Sequence, residues 1–425
     1  MKKVIISVLT LVFILSASFI VLAKKEAKKN EVYFLIRGTP AEVELWKKAV
    51  NAFMKENKGI KVRMEHTPYN EYWTKIQTMM AGGLAPDVIF LESTRVASFI
   101  KIGQLLALDD YVKKDKEFNK NDFYPESINA YMFQNKLYGI PNDIAIYAIY
   151  FNKDMFDQNG VKYPNGTWNW EEFKKACIAL TRDDNKDGVP ETFGFNIGWT
   201  YYLWIWQNSG DFYDNPKNPT KAVINSPEVK GALQYLKDLI YKYKASPSFA
   251  QASSFGNSAE MFMTGRVAMI IEGHWMVPEF RNIKSFKWDV ADITAAELPK
   301  GKVKANYGAG SCFAIPKVAR NRENAWKLIK FLSGDKGQEI LIKSGLSTPA
   351  LRTPKITKLF LDSRPPANNK VFLDMISYAH LPPLIPRYNE MSDTMYRELD
   401  SFWLNEKSAD EVLKTLEKKL NEFIK

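Results

Sequence analysis

Cysteine and histidine are scarce in this chain of 425 residues. Only Cys177 and Cys312 occur, and the three histidines, His66, His274 and His380, lie far apart in sequence. Two cysteines are too few for a disulfide-stabilised scaffold, and no Cys/His spacing typical of a zinc site is present. Cys177 falls on the apolar side of a predicted helix, which indicates a core position.

Long hydrophobic runs are absent except at the start, where Val4–Leu22 is mostly apolar. Lysines precede this run and Ala23 ends a small-residue cleavage pattern, so residues 1–23 are predicted to be a signal peptide. The run is also long enough to remain as an N-terminal membrane anchor. No cysteine follows it, which excludes lipid attachment at that point. We expect an exported protein, periplasmic or extracytoplasmic, whose remainder is soluble.

Positive charge is in excess, with a net charge of +11, but Lys and Arg are mixed with Asp and Glu along the chain. No nucleic-acid motif, phosphate-binding loop or nucleophile elbow accompanies the charge, so we expect no nucleic-acid partner. Aromatic residues are plentiful at 13%, including Trp 11 and Tyr 20. Aromatic faces suit the C–H faces of pyranose rings, which favours a carbohydrate ligand.

Strand and helix patterns alternate from residue 31 onwards. Val32–Ile36 is a continuous apolar run, typical of a strand covered on both faces. Thr39 and Glu42 then form a capping-box pattern around Pro40, which predicts the start of a helix. The pattern predicts an open α/β sheet, in which ligands bind beyond the carboxyl ends of the strands. The candidates at that edge are Arg37, Tyr69 and Glu92.

A second set of elements is predicted after Pro141. It begins with a strand at Ile144–Phe151 and a helix at Trp170–Leu180, and Ser226 is placed to cap a later helix. The last two predicted helices cover Ala325–Leu332 and Glu411–Ile424.

Eight short motifs occur in a fixed order along the chain. In that order and spacing they resemble the ABC-transporter extracellular solute-binding proteins for sugars, the group that includes maltose-binding proteins. The motifs are Ala81–Val88 (AGGLAPDV), Gly103–Asp109 (GQLLALD), Leu137–Pro141 (LYGIP), Tyr150–Phe156 (YFNKDMF), Thr167–Phe173 (TWNWEEF), Met263–Met269 (MTGRVAM), Glu272–Trp275 (EGHW) and Ala314–Lys317 (AIPK).

The resemblance implies a periplasmic-binding-protein-like fold of type II, with two α/β lobes joined by a hinge and a ligand cleft between them. Residues 31–142 plus 306–352 are the expected N-terminal lobe, and residues 143–305 plus 353–425 the expected C-terminal lobe. Lobe closure over the ligand would create the surface that the permease recognises.

Aromatic candidates for ligand binding lie in two segments. Trp275, with Glu272 before it, follows the apolar run 267–271, where a turn would expose it to a cleft. The segment 199–206 holds five aromatic residues, more than one helix face can bury, and the resemblance places Trp199, Tyr201 and Trp204 near the sugar. The alternative for each is packing in the core, where most aromatic residues lie.

Polar candidates must fix sugar hydroxyls, which planar guanidinium and carboxylate groups do with directional hydrogen bonds. Asp143 follows Pro141, where the family often has Asp, whereas a second acidic position common in relatives is Ala145 here. Arg387 lies in a Pro-flanked segment. The alternative for these residues, and for Arg37 and Glu92, is ordinary surface polarity.

Residues 183–191 match the first half of an EF-hand calcium loop. The twelfth position, which should carry a bidentate acid, is Gly194, so either a structural calcium site or an Asx-rich turn is predicted. The candidate ligands are Asp183, Asn185, Asp187, Val189 and Glu191.

The function implied is a carbohydrate-binding receptor of an ABC importer, a monomer that is not an enzyme and requires no cofactor. Its expected partners are a sugar or oligosaccharide and the transmembrane permease subunits. A secreted glycoside hydrolase is the alternative, although no pair of catalytic carboxylates can be identified. The same fold binding a peptide, polyamine or other solute is the third possibility.

Overall fold

The computed structural model of the protein describes residues 30–299 and 301–425. The predicted signal peptide, residues 1–23, lies outside the described residues. Within these residues no helix combines the length and the apolar character needed to cross a membrane. The strands are β1 (Glu31–Arg37), β2 (Lys61–Thr67), β3 (Val88–Glu92), β4 (Met132–Phe133), β5 (Lys136–Leu137), β6 (Ile140–Pro141), β7 (Tyr147–Asn152), β8 (Phe193–Asn196), β9 (Val267–Gly273), β10 (Trp288–Ala291), β11 (Ala296–Leu298), β12 (Gly301–Val303), β13 (Asn306–Tyr307), β14 (Ser311–Ala314) and β15 (Ala379–His380).

The helices surround two separate sheets. They are α1 (Pro40–Glu56), α2 (Tyr69–Ala81), α3 (Ser93–Lys101), α4 (Asp109–Lys114), α5 (Pro125–Asn129), α6 (Lys153–Gln158), α7 (Trp170–Ala179), α8 (Tyr201–Gln207), α9 (Pro227–Tyr241), α10 (Phe249–Phe255), α11 (Ser258–Met263), α12 (Val277–Phe280), α13 (Arg322–Ser333), α14 (Asp335–Ser344), α15 (Pro354–Asp362), α16 (Lys370–Asp374), α17 (Tyr388–Trp403) and α18 (Ala409–Leu420).

The first sheet has five strands in the order β2-β1-β3-β14-β6. β1 runs parallel to β2 and β3, and β14 joins antiparallel to β3. Phe34, Leu35 and Ile36 of β1 are fully buried, because helices such as α1 cover the sheet. The predicted capping box exists: the Glu42 N–H donates to Thr39 Oγ1 (3.3 Å), and the Thr39 N–H donates to the Glu42 carboxylate.

The second sheet has four strands in the order β10-β7-β9-β8. β9 is antiparallel to β7 and parallel to β8. Every residue of β7 and β9 is buried, because helices pack on both faces of this sheet. The strand predicted at 144–151 begins three residues later than expected, since Ile144–Ile146 belong to the connection between the sheets.

Two neighbouring segments carry the chain between the sheets, at residues 142–146 and 304–310. They are joined by a backbone bond from Ala145 N–H to Ala309 O (2.5 Å) and by Asn306. The buried Asn306 side chain accepts from Tyr147 N–H (3.0 Å) and donates to Tyr147 O (2.7 Å). All strands of the first sheet come from residues 31–141 and 311–314, and those of the second from 147–291, so these segments connect two α/β lobes.

The close packing of β8 against α7 depends on Gly194, which has no side chain. A Cβ atom at this position would lie 2.0 Å from the Cys177 carbonyl oxygen and 2.5 Å from the Cys177 Cα, both backbone atoms that cannot move aside. We therefore expect Gly194→Ala to lower the free energy of unfolding by about 3 kcal/mol, measured by urea titration.

Gly82→Ala is the matched control, because its nearest atom, Thr78 O, is 3.4 Å from the added Cβ and its φ is −79°. We expect this control to change stability by roughly 0.5 kcal/mol. Equal unfolding midpoints for the two variants would show that β8 does not approach α7 this closely.

Candidate functional site

A polar cluster lies at the carboxyl ends of β1 and β3, as the strand order predicted. Arg37 Nη2 donates to Glu92 Oε1 at 2.6 Å, and the Tyr69 hydroxyl donates to Glu92 Oε2 at 3.3 Å. The Arg37 guanidinium also lies 4.6 Å from the centre of the Tyr69 ring. The structure therefore brings three of the predicted residues together.

Arg95 completes this polar cluster from the first turn of α3. Its Nε lies 3.5 Å from Glu92 Oε2, and its guanidinium is 3.9 Å from the centre of the Trp73 ring. The polar cluster, defined as Arg37, Tyr69, Glu92 and Arg95, thus holds one carboxylate between two cations. Both carboxylate oxygens are oriented before any ligand arrives, which lowers the entropy lost on binding.

Asp143 lies on the first connecting segment, under the loop that precedes β14. Its carboxylate accepts from Ser311 N–H (2.7 Å), from Ser311 Oγ (2.9 Å) and from Asn142 Nδ2 (3.1 Å). Burial raises the pKa of Asp143, against these bonds and the positive charge of Arg37. With three donors already engaged, Asp143 holds the connection in place, and its link to the polar cluster is electrostatic.

An aromatic wall faces outward from the second lobe. Tyr147 is its central ring, and Trp199, Trp275 and Tyr307 surround it with centroid distances of 5.2, 5.2 and 5.5 Å. Trp199 is 36% exposed and Trp275 is half-buried. Gly273 lets Trp275 fold back over the chain, because a Cβ there would overlap the indole ring at 2.1 Å. The aromatic wall, these four residues, offers flat apolar surface.

Tyr307, the member of the aromatic wall that lies on the second connecting segment, is near the polar cluster. Burial raises the pKa of Tyr307 and Tyr388, and the negative charge of Glu92 on the other lobe adds to both. Tyr69, in the first turn of α2, adds in the same way to the raised pKa of Tyr388 and Tyr396. The polar cluster therefore lies near one edge of the aromatic wall, at Tyr307, and near the tyrosines of α17.

Sequence reasoning missed two tyrosines of this cleft, Tyr388 and Tyr396. Both lie on α17, which packs against α3 of the first lobe, and Tyr396 is 41% exposed. Eight residues apart, they project about 80° from each other around the helix. The two tyrosines therefore share one broad side of α17, a weaker signal than a single helix face.

Two site predictions are corrected by the structure. Trp204 has no exposed surface and packs against Trp170 and Phe173, because α8 is enclosed on all sides and each of its residues is buried. Arg387 pairs with Glu390 at 2.6 Å and lies over the ring of Phe423, directed away from the polar cluster.

Tyr201 also lies mostly inside the protein. It is 5% exposed and packs against Trp403 and Tyr396, so it supports the edge of the cleft from behind. Four of the five aromatic residues in segment 199–206 are buried, because α8 is surrounded by helices and the sheet, and the fifth, Trp199, precedes the helix and is exposed.

Comparison with known proteins shows which family the chain matches. Residues 38–339 match the family model described as bacterial extracellular solute-binding protein. The chain belongs to this family. As a solute-binding protein it is a receptor and not an enzyme, so the glycoside hydrolase alternative is set aside.

Relatives of this solute-binding protein carry sugar-related names. The galactooligosaccharide-binding protein of Bacillus subtilis is 25% identical, with 81% of this chain and 78% of the relative covered. The structure of an ABC substrate-binding protein from Listeria monocytogenes in complex with cycloalternan is 28% identical, covers 93% of this chain and 99% of that chain, and superimposes with a TM-score of 0.84. Maltose-bound T. maritima MalE3 is 21% identical, covers 92% and 99%, and has a TM-score of 0.76, which confirms the predicted type II fold of two lobes and a hinge.

The predicted calcium loop of the solute-binding protein is held by its own hydrogen bonds. Asp183 accepts from Gly188 N–H (2.9 Å), Asp187 from Val189 N–H (2.8 Å), and Glu191 from Asp184 N–H (2.8 Å). Throughout residues 30–299 and 301–425, no three Asp, Glu, His or Cys side chains come close enough to hold a metal ion.

The rest of the loop explains why the motif is incomplete. Asn185 directs its amide and carbonyl groups to Asp187, and Lys244 donates to the carbonyl of Gly188 at 3.0 Å. Gly194 has no room for the missing acid, because Cys177 lies against it. The loop is an Asx-rich turn in which Asp183 Oδ1 is buried without a hydrogen-bond partner, and calcium binding here stays a prediction.

Glu272 is a buried carboxyl group at the base of the aromatic wall. Burial raises its pKa to about 7, against hydrogen bonds from Gly273 and Trp199. An unfolded glutamate ionises near 4.5, so between that pH and about 7 only the unfolded state loses the proton. The contribution of Glu272 to the free energy of unfolding is therefore fully present below about pH 4.5 and is lost as the pH rises through 7.

We expect Glu272→Gln to remove this part of the pH dependence. Between pH 5 and pH 8 the stability of the variant should rise relative to the unaltered protein by on the order of 3 kcal/mol at most, measured by urea titration. At each pH the free energy of unfolding of the variant is compared with that of the unaltered protein. This comparison cancels the effect of buried His274, whose pKa is lowered to about 4 and which titrates in both proteins. A difference that does not vary with pH would contradict the burial of a protonated Glu272.

Proposed function

We propose that this solute-binding protein is the extracytoplasmic carbohydrate receptor of an ABC importer. It captures a sugar or oligosaccharide between its lobes and delivers it to the membrane permease. The observation that carries the proposal is that the aromatic wall lies near the polar cluster, through Tyr307, so that one ligand can contact both. A cleft with these two surfaces suits a flat ligand that has apolar faces and a rim of hydroxyl groups.

Each side of the cleft supplies one kind of contact. The exposed indoles of Trp199 and Trp275 stack on the C–H face of a sugar ring. Glu92 accepts from sugar hydroxyls, while Arg37 and Arg95 donate to them, and charge-assisted bonds of this kind have a defined direction. The indoles select for the shape of the sugar ring, and the polar cluster selects for the arrangement of its hydroxyl groups.

Closure follows from the placement of these contacts on different lobes. A ligand that touches both surfaces at once binds the closed arrangement more tightly than the open one and shifts the population toward it. The connecting segments around Asn306 absorb the motion. The closed form then presents a surface that the transmembrane permease subunits recognise, with the receptor acting as a monomer outside the cytoplasm after export by its signal peptide.

The names of relatives support an oligosaccharide as the ligand. Besides the galactooligosaccharide-binding protein and the cycloalternan complex, a maltooligosaccharide ABC transporter solute-binding lipoprotein of Streptococcus pneumoniae is 26% identical over 76% of this chain. An oligosaccharide also suits the extent of the cleft, because Tyr69 and Tyr396 add exposed rings beyond the aromatic wall.

The proposal predicts that at least one of maltotriose, a galactooligosaccharide, an arabinooligosaccharide and cycloalternan raises the melting temperature of the protein. With that sugar, Trp199→Ala and Trp275→Ala should each weaken binding roughly 10- to 100-fold, measured by isothermal titration calorimetry, because each removes a stacking face.

Tyr241→Ala is the matched control for these variants. Tyr241 is an aromatic residue on the second lobe with 41% exposure, and it bonds to Trp403 O away from the cleft. We expect its affinity to match that of the unaltered protein. Equal affinities for all three variants, or stabilisation by a peptide or polyamine with no sugar active, would refute the carbohydrate proposal.

A further inference from the structure

A basic and apolar face lies on the first lobe, formed by Lys101, Ile102, Lys317, Val318 and Arg322. Ile102 is 64% exposed and Val318 is 53% exposed, the two highest values among the exposed large hydrophobic side chains of the described residues. The two lie on paired segments, since Lys317 N–H donates to Gln104 O (2.7 Å) and Leu106 N–H donates to Ile315 O (2.9 Å). The two most exposed of these hydrophobic side chains, Ile102 and Val318, therefore lie on neighbouring segments of the same surface.

This basic and apolar face is at the edge of the first sheet opposite the cleft. β14 runs antiparallel to β3, so the residues after β14 lie beside the start of β3, whereas Glu92 at its end belongs to the cleft. Asp87, one residue before β3, accepts from Arg320 N–H and Asn321 N–H, each at 2.9 Å. A partner bound to this face leaves the mouth of the cleft free.

Positive charge dominates the face. Among the described residues, Lys101 and Lys317 form no ion pair, and Arg322 donates to the backbone carbonyls of Lys317 and Ala319. Of the acidic groups on neighbouring elements, Asp87 is buried and bonded to the backbone, as described above.

Two other acidic groups stand near this edge, and both have other partners. Glu323 interacts with Tyr111, whose pKa is raised by burial and by that charge, and Glu31 lies 4.0 Å from Arg63. Neither neutralises the lysines of the basic and apolar face, so the face attracts anions.

The chain enters the fold at the same edge. Asn321 Nδ2 donates to Glu31 O at 2.7 Å, so the first residues of β1 lie directly beside the segment that carries Val318. The residues before β1 include the apolar run Val4–Leu22 and the lysines at 24, 25, 28 and 29. An attachment to a bilayer through that run would hold the chain at the edge of the fold that carries this face.

We propose that the basic and apolar face contacts an anionic phospholipid surface. Lys101, Lys317 and Arg322 contact lipid phosphates, while Ile102 and Val318 enter the interfacial layer, the combination by which peripheral proteins hold to anionic membranes. The cleft then points away from the bilayer, toward the solute. The contact is weak enough to be released when the receptor turns to deliver its ligand.

Lipid quenching of single labelled positions tests this proposal on the full-length chain. Cys177 and Cys312 are completely buried, so a thiol-reactive fluorophore labels Ile102→Cys, Val318→Cys or the control Leu404→Cys selectively among the described residues. Leu404 is 52% exposed and follows α17 of the second lobe, so it is not part of the face. Vesicles of brominated phosphatidylglycerol or brominated phosphatidylcholine serve as quenchers.

We expect quenching at positions 102 and 318 at least threefold stronger than at 404 in phosphatidylglycerol vesicles. Adding Lys101→Glu and Lys317→Glu, or about 0.5 M salt, should remove most of that difference. The N-terminal run is present in every variant and can by itself favour positions 102 and 318, so the contact is assigned to the face by the loss of the difference in the charge-reversed variants. Sugar binding should stay unchanged in all of them, which shows that the fold is intact.

Equal quenching at the three positions, or equal quenching by the two lipids, would overturn the proposal. A response to soluble polyglutamate without any response to lipid would also overturn it, in favour of an acidic protein partner.

Discussion

The side chain of Asn306 links two crossings of the chain between the lobes, and the rest of the structure depends on that link. It is fully buried, and it satisfies both backbone groups of Tyr147 as a neighbouring strand would. The ring of the same Tyr147 is the centre of the aromatic wall. Because a buried unpaired amide is costly, the connection between the lobes and the central ring of the aromatic wall are fixed by one set of bonds.

The two lobes contribute different chemistry to the cleft because their sheets end differently. Parallel strands of the first lobe end in Arg37 and Glu92, which form an ion pair at 2.6 Å. In the second lobe β9 ends in Glu272 and Gly273, and the chain then folds back to place Trp275 against Tyr147. Only a ligand that fits both kinds of surface gains from closing the lobes, which gives the receptor its selectivity.

The local rules of the sequence predicted the helix starts, the alternation of strands, and the meeting of Arg37, Tyr69 and Glu92 at one sheet edge. These features depend on capping and strand direction, which are short-range. The burial of Trp204 and the outward direction of Arg387 depend on helices far away in sequence, which the local pattern does not contain. The acid missing from the calcium motif has a similar cause, because the backbone of Cys177 fills the space beside Gly194.

The most direct test of the two-lobed receptor is small-angle X-ray scattering with and without the sugar that raises the melting temperature. Closure about the segments joined by Asn306 predicts a smaller radius of gyration at saturating sugar, with unchanged molecular mass. An identical radius with the sugar fully bound would contradict lobe closure.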